Sequence, residues 1–256
     1  MALDEVLAEN VVSGKSPPTL RFYGWLVPSI TIGAFQKISD INLPRCHELN
    51  IPVVRRPTGG RAILHGKELT YSFASPSKSA GGCAGLPANI PFTDNLLDNY
   101  KLISTTFHRA VQDLGIDVNI SHRRLHRKSP SYGKPLCFTS TSFSELTVLS
   151  GGAYYKVMGA AQKRFDGGFL EQGSVPLLTD MALLQELFTE TDGLLPGLNT
   201  FKDDITIDSL TTGVIRAFEE TFNIVLKEEP LSSEEKKYAE LLEKEKYASS
   251  DWTLRK

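Results

Sequence analysis

The chain has 256 residues, with 28 Lys+Arg against 30 Asp+Glu and a formal net charge of −2. That balance excludes a protein that holds nucleic acid by neutralising many phosphates, and 41% hydrophobic with 23% charged residues is a globular, water-soluble composition. Three cysteines, Cys46, Cys83 and Cys137, offer neither a disulfide framework nor a Cys-x-x-Cys metal pair, so a reducing cytoplasmic setting and no metal are expected. No run approaches the ~20 apolar residues of a membrane span, and the acidic start is unlike a secretory signal.

Leu3, Val6, Leu7 and Val11 recur at helical spacing, which predicts an amphipathic helix over 2–12 that Gly14 ends. Strands are expected over 19–25 and 29–35, around a break at Pro28, then a short connecting helix over 44–50. Residues 52–55 and 62–65 read as strands joined through Thr58-Gly59-Gly60. Leu69, Tyr71 and Phe73 alternate with Thr70, Ser72 and Ala74, the clearest strand pattern in the chain. Residues 75–91, rich in Ser, Gly and Pro, read as a long connection, and 92–114 as a helix with one apolar face. Gly151-Gly152 centres a predicted β-hairpin, 168–177 a further strand, and 181–188 and 209–222 two more helices. Ser232-x-x-Glu235 is a capping box opening a terminal helix whose Tyr238, Leu241, Leu242 and Tyr247 predict docking. Strands in the middle and helices at both ends predict an α+β fold, a mixed, largely antiparallel sheet flanked by helices.

Three segments carry candidate chemistry. In Arg55-Arg56-Pro57-Thr58-Gly59-Gly60-Arg61, the absence of Cβ atoms lets the backbone approach a ligand, and three arginines bring positive charge to one turn. A plain hairpin with solvated arginines carries about equal weight. In Tyr155-Lys156-Val157-Met158-Gly159-Ala160-Ala161-Gln162, an ammonium among apolar neighbours is poised to hold a carbonyl or phosphate oxygen or to lose its proton; a lysine that merely edges a strand into water is the commoner case, and the small residues after Lys156, which leave room for a ligand, weigh against it. Cys137 and Cys83 both sit in polar loop-like settings where a thiolate forms more easily than in a core. Cys46, beside His47 on the short helix, is a weaker candidate, since adjacent helical residues point apart. Composition alone does not choose among the thiols. The basic stretch His122–Lys128 is either a solvated loop or a patch that steers an acidic partner.

Taken in order, Met1-Ala-Leu-Asp-Glu5, Gly33-Ala-Phe-Gln36, Arg55 through Arg61 with His65, Glu68-Leu-Thr-Tyr-Ser72 and Lys156 through Gln162 resemble the lipoate–protein ligase, octanoyltransferase and biotin ligase superfamily. The resemblance spans nearly the whole chain and implies the fold shared with class II aminoacyl-tRNA synthetases. It implies one catalytic domain over 1–256 with a short helical segment at about 230–256. It further implies substrate-binding roles for Arg56, Gly59, Gly60, Arg61, His65 and Gly159, and a catalytic role for Lys156 at the acyl carbonyl. Within the superfamily the chain is most similar to the cysteine-dependent octanoyltransferases, whose nucleophile falls on Cys137-Phe138 ahead of Glu145-Leu146, and whose ending matches Lys246-Tyr247 through Asp251-Trp252. Relatives carry a strand ahead of the first helix, so an open sheet edge is expected here.

The implied reaction is octanoyl transfer from octanoyl-acyl carrier protein to a lysine of a lipoyl-domain protein, such as the glycine cleavage H protein, through a Cys137 thioester and without a cofactor. The implied rival is an ATP- and Mg-dependent lipoate–protein ligase; a non-catalytic lipoyl-domain binder is the third reading. A short tail in place of an accessory C-terminal domain favours the transferase. The protein is expected to be monomeric and to bind neither nucleic acid nor membrane.

Overall fold

The computed structural model describes residues 1–78, 91–121, 145–189 and 196–255. In chain order they form α1 (Ala2–Val12), β1 (Thr19–Tyr23), β2 (Ser29–Ile32), α2 (Leu43–Glu48), β3 (Val53–Arg55), β4 (Ile63–His65), β5 (Glu68–Pro76), α3 (Leu96–Asp113) and β6 (Val118–Ile120). There follow β7 (Leu146–Ser150), β8 (Ala153–Lys156), β9 (Gly159–Phe165), β10 (Gly168–Pro176), α4 (Met181–Leu187), α5 (Ile207–Phe222), α6 (Ser233–Leu242) and α7 (Ser250–Thr253). A π-helical turn, Glu243–Tyr247, joins the last two helices.

The α+β class and the antiparallel bias are as expected, but the described strands divide among three sheets. The central one runs β1-β5-β10-β9, all antiparallel; β3-β2-β4 holds the one parallel pair among the described strands, β2 with β3; β6-β7-β8 is antiparallel. All nine residues of β5 are buried because both faces of the central sheet are covered. The apolar set, Leu69, Tyr71 and Phe73, joins Phe107 of α3, Phe169 of β10 and Phe218 of α5 in the main core. Ring contacts such as Tyr71–Phe107 at 4.4 Å add edge and offset stacking to the area buried. The polar set turns to α1, where Ala8 and Val11 cover Ala74 and Leu170. A second core, built on Ile30, Ile32, Cys46 and Leu187, lies among β2, α2 and α4.

Three departures from the sequence reading have local causes. Helix α3 begins at Leu96, not 92, because the Asn95 side chain accepts from Leu97 N–H and so caps it, while Phe92 is spent in the core. Strand β2 stops at Ile32, because the chain turns at Gly33 to meet the glycine turn. Strand β9 was not read as a strand, because Gly159-Ala160-Ala161 carries no β-branched or alternating signal; its pairing with β10 is what makes it one. The capping box at Ser232 and Glu235 forms as expected, and α6 lies against α1, but of the apolar residues expected to dock Tyr247 is buried while Tyr238 and Leu241 stay exposed. Among the described residues no helix is long and apolar enough to cross a membrane.

Candidate functional site

The glycine turn between β3 and β4 is organised by two buried arginines, not solvated ones. Arg56 donates from Nη2 to the carbonyls of Gly59 and Arg61, both at 2.7 Å, and from Nη1 to the carbonyl and hydroxyl of Thr31, both at 3.2 Å. One guanidinium fork thus fixes the turn's two carbonyls against β2, a task its planar donors fit. Gly60 has φ +81, in the left-handed region, and a Cβ on Gly33 would lie 1.9 Å from the Gly60 carbonyl oxygen. Only glycine permits that backbone contact. The Ala34 N–H donates to Thr58 O at 2.8 Å, and Thr58 Oγ1 donates to Gln172 of β10 at 2.9 Å, so the turn is tied to the central sheet.

His65, at the end of β4, is buried beneath Trp25, with ring centroids 4.1 Å apart and nearly parallel. Its Nδ1 donates to Glu68 Oε1 at 2.6 Å and its Nε2 meets Thr31 Oγ1 at 2.7 Å. Burial would raise the Glu68 carboxyl, but His65 and the Thr70 hydroxyl hold it below the usual carboxylate value. Trp25 Nε1 donates to Thr70 Oγ1 at 2.8 Å, which closes the network.

Above these groups lies a small recess, part of it open to solvent. Its walls include Arg56, Ile63 and His65 from the turn and its flanks, and Ala160, Ala161 and Gly173 from β9 and β10. The small residues that follow Lys156 therefore do leave space, and they leave it opposite the glycine turn. The surface it exposes is almost wholly apolar, although Thr31, Arg56, His65, Thr70 and Gln172 stand among its lining residues.

Lys156 ends β8 and pairs with Thr147, as the hairpin register predicts, with Gly151 and Gly152 at φ +56 and +80 supplying the two left-handed turn positions. Its ammonium is buried but not left among apolar groups: Nζ donates to the Glu145 carboxylate at 2.6 Å, with both side chains under one-tenth exposed. Sequence spacing gives no sign of this pairing, which joins positions 11 apart through a hairpin fold. The carboxylate fixes the ammonium at the end of β8, immediately ahead of the β9 motif.

Beneath β9, Glu171 is fully buried on the core face of β10. Tyr71 Oη donates to its Oε1 at 2.6 Å, and Gln162 Nε2 to its Oε2 at 2.5 Å. Burial pushes its carboxyl up to about 8, and burial beside it holds the Tyr71 phenol well above its ordinary value. A neutral Glu171 has a proton to donate, and Gln162 Oε1, buried without a partner, is the acceptor it fits once that amide is turned over. On the opposite face, Asp4 of α1 accepts from Arg21 at 2.6 Å, Gln172 at 2.7 Å, Ser72 at 2.9 Å and Tyr23 at 3.0 Å. Burial raises its carboxyl and the N-terminal ammonium and Arg21 more than reverse this.

The structure thus brings Arg56, Gly59, Gly60 and His65 together at one end of the cavity with Ala160 and Ala161 of the lysine motif opposite. Cys46 is wholly buried in the second core, where burial pushes its thiol up, which removes it as a nucleophile. Cys137, Cys83 and the basic stretch His122–Lys128 lie outside the described residues. Among the described residues no His, Cys, Asp and Glu cluster forms a metal site.

The profile of the lipoyl protein ligase A/B catalytic domain matches residues 1–195. The chain is 32% identical, over 100% of its length and 93% of the relative's, to a protein of Exiguobacterium sp. named octanoyltransferase LipM. It is 33% identical to one of the same name from Geobacillus kaustophilus, again over 100% and 93% of the two chains. Among solved structures it is similar to lipoate-protein ligase A bound with ATP, with TM-score 0.79, 22% identity, and 99% and 92% of the two chains covered. It is also similar to a bi-partite lipoate protein ligase of Thermoplasma acidophilum solved in an archaeal lipoylation study with its E2 lipoyl domain, with TM-score 0.77, 22% identity, and 99% and 89% covered.

Proposed function

The chain belongs to the lipoyl protein ligase A/B catalytic-domain family, and from that premise we propose that it is an octanoyltransferase of lipoate biosynthesis working by ping-pong acyl transfer. The observation that carries the reading is an apolar recess between the glycine turn and β9, the strand that follows the buried, carboxylate-held Lys156, in a chain that matches octanoyltransferases over its whole length.

The Cys137 thiolate attacks the thioester carbonyl of octanoyl-acyl carrier protein; the carrier's thiol leaves and takes up a proton, and an octanoyl-cysteine remains. The ε-amine of a lipoyl-domain lysine then attacks that thioester, the Cys137 thiolate leaves and accepts the amine's proton, and an amide forms. Exchange between thioesters is nearly isoenergetic and thioester-to-amide transfer runs downhill, so no ATP or metal is consumed. Lys156 stabilises the oxyanion that develops in each step, and Glu145 holds its ammonium aimed while no substrate is bound. The cavity takes the alkyl chain, with Gly59, Gly60 and Gly159 permitting close approach and Arg56 and His65 setting the turn's shape.

Incubation with octanoyl-acyl carrier protein followed by intact mass measurement tests this. The expected result is one added octanoyl group, absent in Cys137→Ala and discharged by a lipoyl-domain protein such as the glycine cleavage H protein. A Cys137→Ala protein that retains full ATP-driven lipoylation would overturn it in favour of the ligase.

A further inference from the structure

Arg55 immediately precedes Arg56, is 1% exposed, and points into a different neighbourhood. The hydrogen bonds of its guanidinium run to backbone carbonyls: Nε to Trp252 and Thr253, both at 3.2 Å; Nη1 to Gly33 at 2.8 Å, Gln36 at 2.7 Å and Ala34 at 3.4 Å; Nη2 to Arg255 at 2.9 Å. A lysine has one donor point and cannot reach in these three directions; the guanidinium fork can. Trp252 returns the contact, its Nε1 donating to Arg55 O at 2.7 Å. The indole is in turn clamped: the Arg255 guanidinium lies 3.8 Å and the Lys246 ammonium 4.2 Å from its ring centres. Lys246 Nζ and Tyr247 Oη both reach Glu5 of α1, at 2.5 and 2.6 Å. The segment from Lys246 to Arg255 is therefore a strap fixed at one end to α1 and at the other to Arg55.

What the strap holds is the outer support of the glycine turn. Gly33, whose carbonyl Arg55 grips, is in backbone contact with Gly60, and its neighbour Ala34 is bonded to Thr58 and also accepts from Arg255 at 2.9 Å. No residue of the strap is among those lining the cavity. We propose that Arg55 and Trp252 are positioning residues for the acyl-binding turn, so that the strap completes the active site from outside without touching substrate. The inference rests on the acyl-site reading above. It differs from a simple stabilising anchor in that loosening the strap shifts the turn while the sheet beneath stays intact.

The test uses the full chain carrying Trp252→Phe, which removes the indole donor but keeps a ring for the two cations, Trp252→Ala, and Arg55→Lys. Three readouts are taken: the melting temperature, peptide-level hydrogen exchange, and kcat and KM with octanoyl-acyl carrier protein. The expected result is faster exchange in 31–36 and 56–62, unchanged exchange in 69–76 on β5, and kcat/KM lowered on the order of tenfold, mainly through KM, because small displacements of a binding wall are costly. Trp252→Ala is expected to exceed Trp252→Phe in each. Wild-type exchange in the turn together with wild-type KM in Trp252→Phe overturns the proposal, whatever the melting temperature, and that variant decides if the harsher two fail to fold. Wild-type protein that transfers no octanoyl group sinks the functional reading instead, and the exchange data still decide whether strap and turn are coupled.

Discussion

The glycine turn and the lysine hairpin supply the two halves of the proposed site, and they are held by opposite means. Around the local fork of Arg56, the turn is secured by polar bonds from far along the chain: Thr58 to Gln172, and Arg55 to Trp252 and Arg255. The hairpin is secured locally, by the register of Thr147 with Lys156 across a two-glycine turn, by apolar backing from Leu146, Val148 and Val157, and by one buried ion pair. A locally held group keeps its geometry when distant contacts loosen, which suits a point charge that must meet a reacting carbonyl. A globally held turn transmits the state of the whole fold to the pocket wall. Damage to the two halves should therefore differ in kind.

The largest effect is expected for Lys156→Ala, a loss of about 10²–10³ in kcat with hydrogen exchange in the glycine turn unchanged. The same variant leaves Glu145 buried without its cation, a cost of about 3–5 kcal/mol in urea unfolding. Adding Glu145→Leu to Lys156→Met should recover the stability and none of the rate, separating charge from structure within the hairpin. Gly33→Ala drives a methyl into the Gly60 carbonyl and should lower kcat/KM by about 10²-fold while raising exchange in the turn, the reverse signature. Equal exchange in the two variants would erase the distinction between the halves.

A smaller effect concerns the sheet that joins them. Glu171 holds its proton up to about 8 when folded and gives it up near 4.5 when unfolded, so unfolding releases a proton between those values. Stability should fall as pH rises through that window, by at most about 1.4 kcal/mol per pH unit, and level off above it. Asp4, Glu5 and Glu68, all shifted downward, titrate below the window and do not mask it. Urea midpoints at pH 6 and 8 should converge in Glu171→Gln, and an unchanged difference would show that Glu171 is not the group responsible. The smallest effect is expected for Tyr154→Ser, exposed near the hairpin tip, within about 0.5 kcal/mol.

Local signals made much of this legible. The alternation through β5, the glycine pair that sets the hairpin register, the capping box at Ser232 and the small residues after Lys156 each act within a few positions, and each appears where the pattern put it. The partners of the buried charges were not legible. Arg55 and Arg56 look alike in sequence, and only the folded chain sends one to the strap and the other to the turn. Glu171 sits in a run that reads simply as a strand, and its burial follows from β10 being covered on both faces. Asp4 and Glu5 read as ordinary acidic residues of a first helical turn, although both are buried anchors whose partners lie as far as 168 and 242 positions away. No spacing rule spans such separations.

Glu5 also has a consequence in time. On a ribosome adding about 5–20 residues per second, the partners of its buried carboxylate follow α1 late: Lys163 by 158 positions, Lys246 by 241 and Tyr247 by 242. Until then that face of α1 has a carboxylate that favours water over burial, so the first helix cannot settle fully against the sheet. The seat of α1 on the central sheet is therefore completed by residues made long after the helix itself, and a partly made chain keeps that face of the fold open.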